Sequence, residues 1–324
     1  MSIKNKADKE KNDVFIIVQD FLKNPPLIVW GSGATIPFGL PSMKDLNEEL
    51  KYKIEDFDEK NDNLEIELGK EQYKEKMPEI KQIIWEKVNQ ADISVLEKII
   101  SKNTNNFKGI KTMISKFTDA HPQVLNIITT NYDRVLEYIM SYNDMPFTDG
   151  FNGKTLSIFD ESKFKNEKIV HLVKVHGSLN WFDINGETHF LPSMLKDAIP
   201  KIITPSKKKY QETYCRPYRA LIRESDNLIQ NANSFLVVGF GFNDEHLTPE
   251  IRKKVNNGTP IVLITRNVSE SSLSELINAE KYMLFEQAKN NKTKVSYKKN
   301  SRSKKEEVEL NGNFWELDKF MEIL

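Results

Sequence analysis

Two hydrophobic patterns alternate along the chain. Short, largely apolar runs occur at 27–30 (LIVW), 124–128 (VLNII), 171–175 (HLVKV), 235–238 (FLVV) and 261–264 (IVLI). Runs of this length, bounded by turn residues, predict strands buried on both faces, as in a parallel sheet. Between them lie segments with helical spacing. Residues 13–22 predict a helix that stops before Asn24-Pro25-Pro26. Ser42 is placed as the N-cap of a helix over KDLNEELKYK. Further helices are predicted at 133–142, about 214–231 and 314–323. Trp181 to Phe190 reads as a hairpin turning at Asn185-Gly186, with Trp181 and Phe182 in its packing.

Residues 52–118 are rich in Glu, Lys and Ile and poor in Gly and Pro. Their apolar positions (Ile80, Ile83, Ile84, Val88, then Ile93, Val95, Leu96, Ile99, Ile100) repeat at helical spacing. This predicts an all-helical insertion that covers a site or makes oligomer contacts. Three stretches read as irregular: 143–170, 199–210 with its prolines and three consecutive lysines, and the lysine-rich segment within 286–310, taken as a mobile, solvated loop. Strands separated by helices predict an α/β fold: one Rossmann-like domain over 1–324, with a mostly parallel sheet and helices on both faces.

Composition narrows the chemistry. The 324 residues carry 47 basic and 47 acidic side chains, so no net field draws the chain to nucleic acid. The lone Cys215 excludes an intramolecular disulfide and any multi-cysteine zinc site, and reads as a buried or inert thiol. No histidine pair among His121, His171, His189 and His246 has metal-ligand spacing. The polar first residues hold no signal-like apolar run, and no segment is apolar enough for a membrane span. The expected location is cytoplasmic.

Ligands of open α/β sheets sit beyond the carboxyl ends of the strands. The loops there are Gly31-Ser32-Gly33-Ala34-Thr35, Thr129-Thr130-Asn131-Tyr132-Asp133, His176-Gly177-Ser178, Gly239-Phe240-Gly241-Phe242-Asn243 and Thr265-Arg266-Asn267. All but the phenylalanines and Tyr132 in them are small or polar, which predicts one ligand-lined crevice. The two glycines after the first strand are expected to leave free N–H groups aimed at an anion. Asn131 can hold a sugar hydroxyl and a water together. Asp133 suits either a ligand contact or a helix N-cap. His176 can take a proton near neutral pH.

At these residues the chain resembles the sirtuin-like NAD-consuming domains of bacterial anti-phage defence. GSGATIPFGLPSMK (31–44) is similar to the sirtuin glycine loop and its continuation, TTNYD (129–133) to Thr-Gln-Asn-Ile-Asp, and KVHGSLNWF (174–182) to the His-Gly motif. GFGFND (239–244) and LITRN (263–267) resemble the late cofactor loops. The resemblance implies that Gly31, Ser32, Gly33, Ala34 and Thr35 line the pyrophosphate and nearby ribose. Asn131 would position the nicotinamide ribose and a water, with Thr130 and Asp133 shaping that loop, and His176 would be the general base. Gly239, Gly241, Phe242, Asn243 and Thr265 would hold the adenosine half. The family's Asp-Phe-Arg is replaced by Ser42-Met43-Lys44, and one cysteine cannot build the deacylase zinc module. The implied activity is therefore NAD+ hydrolysis without a metal. Protein deacylation or ADP-ribosylation, and a non-catalytic nucleotide-sensing scaffold, are the alternatives. A homo-oligomer, or a separate HerA-like ring ATPase, is the kind of partner the resemblance suggests.

Overall fold

The computed structural model of the chain describes residues 3–58, 64–101, 104, 107–119, 121–165, 168–195, 198–205 and 215–324. The main sheet is built from β1 (Leu27–Trp30), β2 (Leu125–Thr129), β3 (Phe147–Thr148), β4 (Val170–Lys174), β8 (Phe235–Val238), β9 (Ile261–Thr265), β10 (Tyr282–Ala288), β11 (Lys292–Lys298) and β12 (Glu306–Asn311). Its order among the described residues is β12-β11-β10-β9-β8-β1-β2-β4-β3. The strands from β10 to β3 are parallel, and β11 and β12 add an antiparallel edge. A smaller antiparallel sheet holds β5 (Gly177–Ile184), β6 (Glu187–Phe190) and β7 (Ile199–Ile202).

The parallel strands feed two cores by simple alternation. Ile28, Trp30, Ile127, Leu236, Val238, Val262 and Ile264 face one core, while Leu27, Val29, Ile128, Phe235, Val237, Ile261 and Leu263 face the other. Period-two side chains buried on both faces are why these runs show no polar stripe. The first core is roofed by α1 (Ile3–Phe21), α2 (Met43–Lys53), α4 (Met77–Ile100), α5 (Lys108–Thr118) and α6 (Val135–Tyr142), with the short α3 (Leu64–Glu67) and α10 (Leu317–Phe320). The second lies under α7 (Tyr218–Asn231), α8 (Leu247–Asn256) and α9 (Glu270–Ile277). The fold is thus α/β and Rossmann-like, with helices on both faces of the sheet.

The chain starts in the middle of this sheet. From β1 it passes to β2, then to the edge strand β3, and back to β4 between β2 and β3; it later crosses to β8 on the other side of β1. The switch point lies between β1 and β8, where loops leave in opposite directions and open a crevice.

Local signals acted as physics requires. Ser42 caps α2 in a capping box: Asp45 N–H donates to Ser42 Oγ at 3.3 Å and Ser42 N–H donates to Asp45 Oδ2 at 2.7 Å. Asn185 and Gly186 both have positive φ, the geometry of a tight hairpin turn between β5 and β6. Trp181 and Phe182 are fully buried.

Four expectations need correction. The first helix begins at Ile3, ten residues before the apolar stretch. Most of the expected loop over 286–310 is strand: lysines of β11 pair with glutamates of the strands on either side, as in Lys292–Glu309 toward β12 and Lys294–Glu286 toward β10. A run dense in lysine becomes strand when its charges meet opposite ones on the neighbouring strands. Residues 199–202 form β7, an edge strand that tolerates Pro200; the three lysines 207–209 lie outside the described residues. Cys215 is exposed rather than buried.

Candidate active site

The cleft at the switch point is lined by Ser32, Thr35, Thr130, Asn131, Tyr132, Asp133, His176, Gly239, Gly241, Asn243 and Asp244, with an apolar wall that includes Leu40, Met43, Leu46, Leu64 and Val88. Its volume is about 530 Å³, within the range of small-molecule and cofactor sites. Leu64 and Val88 come from the helical segment 52–118, which therefore closes one side of the cleft.

Two glycine loops meet back to back here. A Cβ on Gly31 would stand 2.5 Å from the Gly239 carbonyl oxygen, and one on Gly239 would stand 2.1 Å from the Ala34 nitrogen. Gly239 also has φ +60°, a conformation disfavoured for residues with a Cβ. The Gly31 N–H donates to the Val238 carbonyl at 3.0 Å and the Gly33 N–H to the Gly239 carbonyl at 2.9 Å. This corrects the expectation of free N–H groups at both glycines: their amides lock one loop to the other. Gly31, Gly33, Ala34, Phe242 and Thr265 do not line the cleft. Phe242 is buried edge-on against Phe240, and the Thr265 hydroxyl donates to the Asn267 carbonyl at 3.0 Å.

The loop after β2 is held from three sides. Thr129 Oγ1 donates to the Trp30 carbonyl at 2.8 Å and accepts from the Asn131 N–H at 3.0 Å. The Asn131 side-chain amide donates to the Gly31 carbonyl at 3.2 Å and to Thr35 Oγ1 at 3.3 Å, and the Thr35 hydroxyl lies 3.2 Å from Asp133 Oδ2. Asn131 Oδ1 is buried without a hydrogen-bond partner. Asp133 Oδ1 accepts from the Val135 N–H at 3.3 Å, at the first residue of α6. Asp133 is thus both a helix-start acceptor and a cleft-lining group. Just beyond it, Asp92 of α4 accepts from the Arg134 backbone N–H at 2.6 Å and pairs with its guanidinium at 2.7 Å.

Beneath the loop lies Lys174, 1% exposed. Its Nζ donates to the Asp133 carbonyl at 2.6 Å and to Glu137 Oε1 at 2.5 Å. Burial pushes the Asp133 carboxyl up to about 6 and that of Glu137 up to about 7, each against the pull of Lys174.

His176 leaves β4 into the cleft, with Nε2 3.0 Å from Asp244 Oδ2. Asp244 comes from the loop after β8 and is buried. Its Oδ1 accepts from the N–H groups of His246 at 3.0 Å and Leu247 at 2.8 Å, where α8 begins. The cleft therefore gathers nine of the residues picked from the sequence: Ser32, Thr35, Thr130, Asn131, Asp133, His176, Gly239, Gly241 and Asn243. It adds Asp244 and, behind it, Lys174. The signals for these two were in plain view. A lysine inside an otherwise apolar strand needs a buried partner, and an aspartate in a strand-end loop can face a histidine in another.

The model of the SIR2-like domain family matches residues 125–295, more than half of the chain. The chain belongs to this family. No curated protein sequence matches it. Among solved structures, it is similar to a Sir2 homologue in complex with NAD, at 14% identity over 80% of this chain and 82% of that one, with a TM-score of 0.45. A structure on the mechanism and regulation of Sir2 enzymes is similar at 12% identity over 96% of both chains, with a TM-score of 0.46. Among the described residues, no cluster of three or more His, Cys, Asp or Glu has the placement of a metal site, and no helix is long and apolar enough to cross a membrane.

Proposed function

We propose that this protein is an NAD+ hydrolase that releases nicotinamide and ADP-ribose. The observation that carries the proposal is the convergence of Asn131 and His176 on one cleft, with the buried Oδ1 of Asn131 left without a partner. An unpaired buried acceptor is unfavourable by itself, by about 1–3 kcal/mol. A ribose hydroxyl or a water donating to it removes that penalty. Membership of the SIR2-like family supports NAD+ as the ligand.

The reaction asks little of the protein in covalent terms. The bond between the ribose anomeric carbon and the nicotinamide nitrogen breaks with its electron pair going to nicotinamide, which leaves neutral and needs no acid. Water attacks the oxocarbenium-like carbon and gives up a proton. Asn131 holds the water or the ribose, and His176 takes the proton, an assistance worth roughly 10²–10⁴-fold. The apolar wall of Leu40, Met43, Leu46, Leu64 and Val88 excludes bulk water from the reacting centre. Because the Gly31 and Gly33 amides are engaged, the Ser32 hydroxyl and the rim residues are assigned to the pyrophosphate. Gly239, Gly241 and Asn243 are assigned to the adenosine side.

The test is to incubate the purified protein with NAD+ and resolve nicotinamide and ADP-ribose by chromatography. Asn131→Ala and His176→Ala are expected to lower release by 10²-fold or more. Full release in both variants refutes the site; release only with an acyl-lysine peptide refutes hydrolysis in favour of deacylation. The reading extends to NAD+ depletion in anti-phage defence, by a homo-oligomer or alongside a HerA-like ring ATPase. Its support is the sequence resemblance, and it is checked by light scattering and by assays with the candidate ATPase added.

A further inference from the structure

We infer that Asp244 is the positioning residue for His176: it fixes the ring's tautomer so that Nδ1 is the nitrogen free to accept a proton. This rests on the hydrolase reading for its catalytic consequence but not for its structural content. The contact joins two loops at opposite edges of the switch point, His176 after β4 and Asp244 in the loop after β8, at 3.0 Å between Nε2 and Oδ2. A neutral imidazole has one donor nitrogen and one acceptor. An ionised carboxylate only accepts, so the neutral ring must carry its proton on Nε2. Nδ1 is then the basic atom.

The other carboxylate oxygen makes the arrangement rigid. Asp244 Oδ1 is held by the N–H groups of His246 and Leu247 at the start of α8, at 3.0 and 2.8 Å. With one oxygen committed to the helix, the carboxylate cannot swing away from His176 without uncapping α8. The residue is also buried, 6% exposed, so its contact with His176 is little screened. A buried acceptor that orients an imidazole is a device that fixes both tautomer and ring plane.

Asp244→Asn separates this role from helix capping. Asparagine is as good an N-cap as aspartate. Its carbonyl oxygen remains committed to the two N–H groups, which turns its NH₂ toward His176. Nε2 must then accept, and the ring proton moves to Nδ1. The experiment is a long-range ¹H–¹⁵N correlation on histidine-labelled protein at a pH where the ring is neutral. The His176 signal is assigned by its loss in His176→Gln. The expected result is the Nε2–H tautomer in the native chain and the Nδ1–H tautomer in Asp244→Asn, at an unchanged melting temperature. With NAD+, the same variant is expected to lose 10²–10⁴-fold in kcat, as a wrongly protonated base does, with KM little altered.

An Nδ1–H tautomer in the native chain, or the same tautomer in both proteins, overturns the assignment whatever the activity. A tautomer that switches with no loss of turnover overturns the positioning role. If no form of the protein cleaves NAD+, the hydrolase reading fails, while the spectra still decide what Asp244 does to His176.

Discussion

Gly239→Ala is the sharpest perturbation of the two-loop contact. The added Cβ would stand 2.1 Å from the Ala34 nitrogen and 2.4 Å from the Gly33 carbonyl carbon, both backbone atoms. Ordinary contact begins at 3.4 Å, so the loops must part by more than about 1 Å, and no side-chain rotation relieves this. A displacement of that size in a reacting geometry lowers turnover by about 10²-fold. Alanine at φ +60° adds about 1–2 kcal/mol of backbone strain. The net loss of stability is expected to be about 2–3 kcal/mol, which for a chain this long lowers Tm by roughly 1–2 °C per kcal/mol. Gly241→Ala is the internal control: its Cβ would meet nothing closer than Asn243 Nδ2 at 3.4 Å, and its φ lies outside the left-handed region. The pair is compared by calorimetry, and Gly239→Ala also by NAD+ turnover. Native-like melting and turnover in Gly239→Ala would refute the reasoning, as would an equal loss of melting temperature in Gly241→Ala.

Other outcomes follow from the same geometry. Lys174→Met leaves Glu137 buried without its counter-charge and removes a donor from the Asp133 carbonyl. A loss of about 3 kcal/mol in urea unfolding is expected, part of it recovered in Lys174→Met/Glu137→Leu. The raised carboxyls of Asp133 and Glu137 mean that between about pH 4 and 7 the native state binds more protons than the unfolded one. Their contribution to stability therefore declines as pH rises from about 4 to about 7 and levels off above, which is read as a falling Tm between about pH 4 and 7 that weakens in Glu137→Gln. Lys294→Ala, on the exposed edge hairpin, is expected to change stability by less than about 1 kcal/mol by urea titration, because its ion pairs are solvated.

Five of the seven parallel strands were legible because burial on both faces leaves an apolar run, and the loops after them because a ligand crevice tolerates little bulk; β10 and the two-residue β3 were not read as strands. The edge hairpin was not. Its lysines and glutamates look like a solvated segment until β11 and β12 are laid side by side, with Ser296 opposite Glu307 and Val295 opposite Val308. Asp244 was legible as part of a glycine-rich loop but not as the partner of His176, since 67 positions separate them in the chain and the contact exists only where β4 and β8 flank β1 and β2.

The amino-acid sequence by itself determined the central strands and most helices, the two-sided burial of the sheet and the stock of polar groups at the strand ends. These depend on local periodicity, turn chemistry and composition, which act over a few residues. Tertiary structure decided the rest: that the glycines serve one loop pressed on another, that the Gly31 and Gly33 amides are spent on Val238 and Gly239, and that Lys174 braces the Asn131 loop from below. Each of these depends on which backbone lies within about 3 Å of which, and that is a property of strand order, which no local pattern encodes.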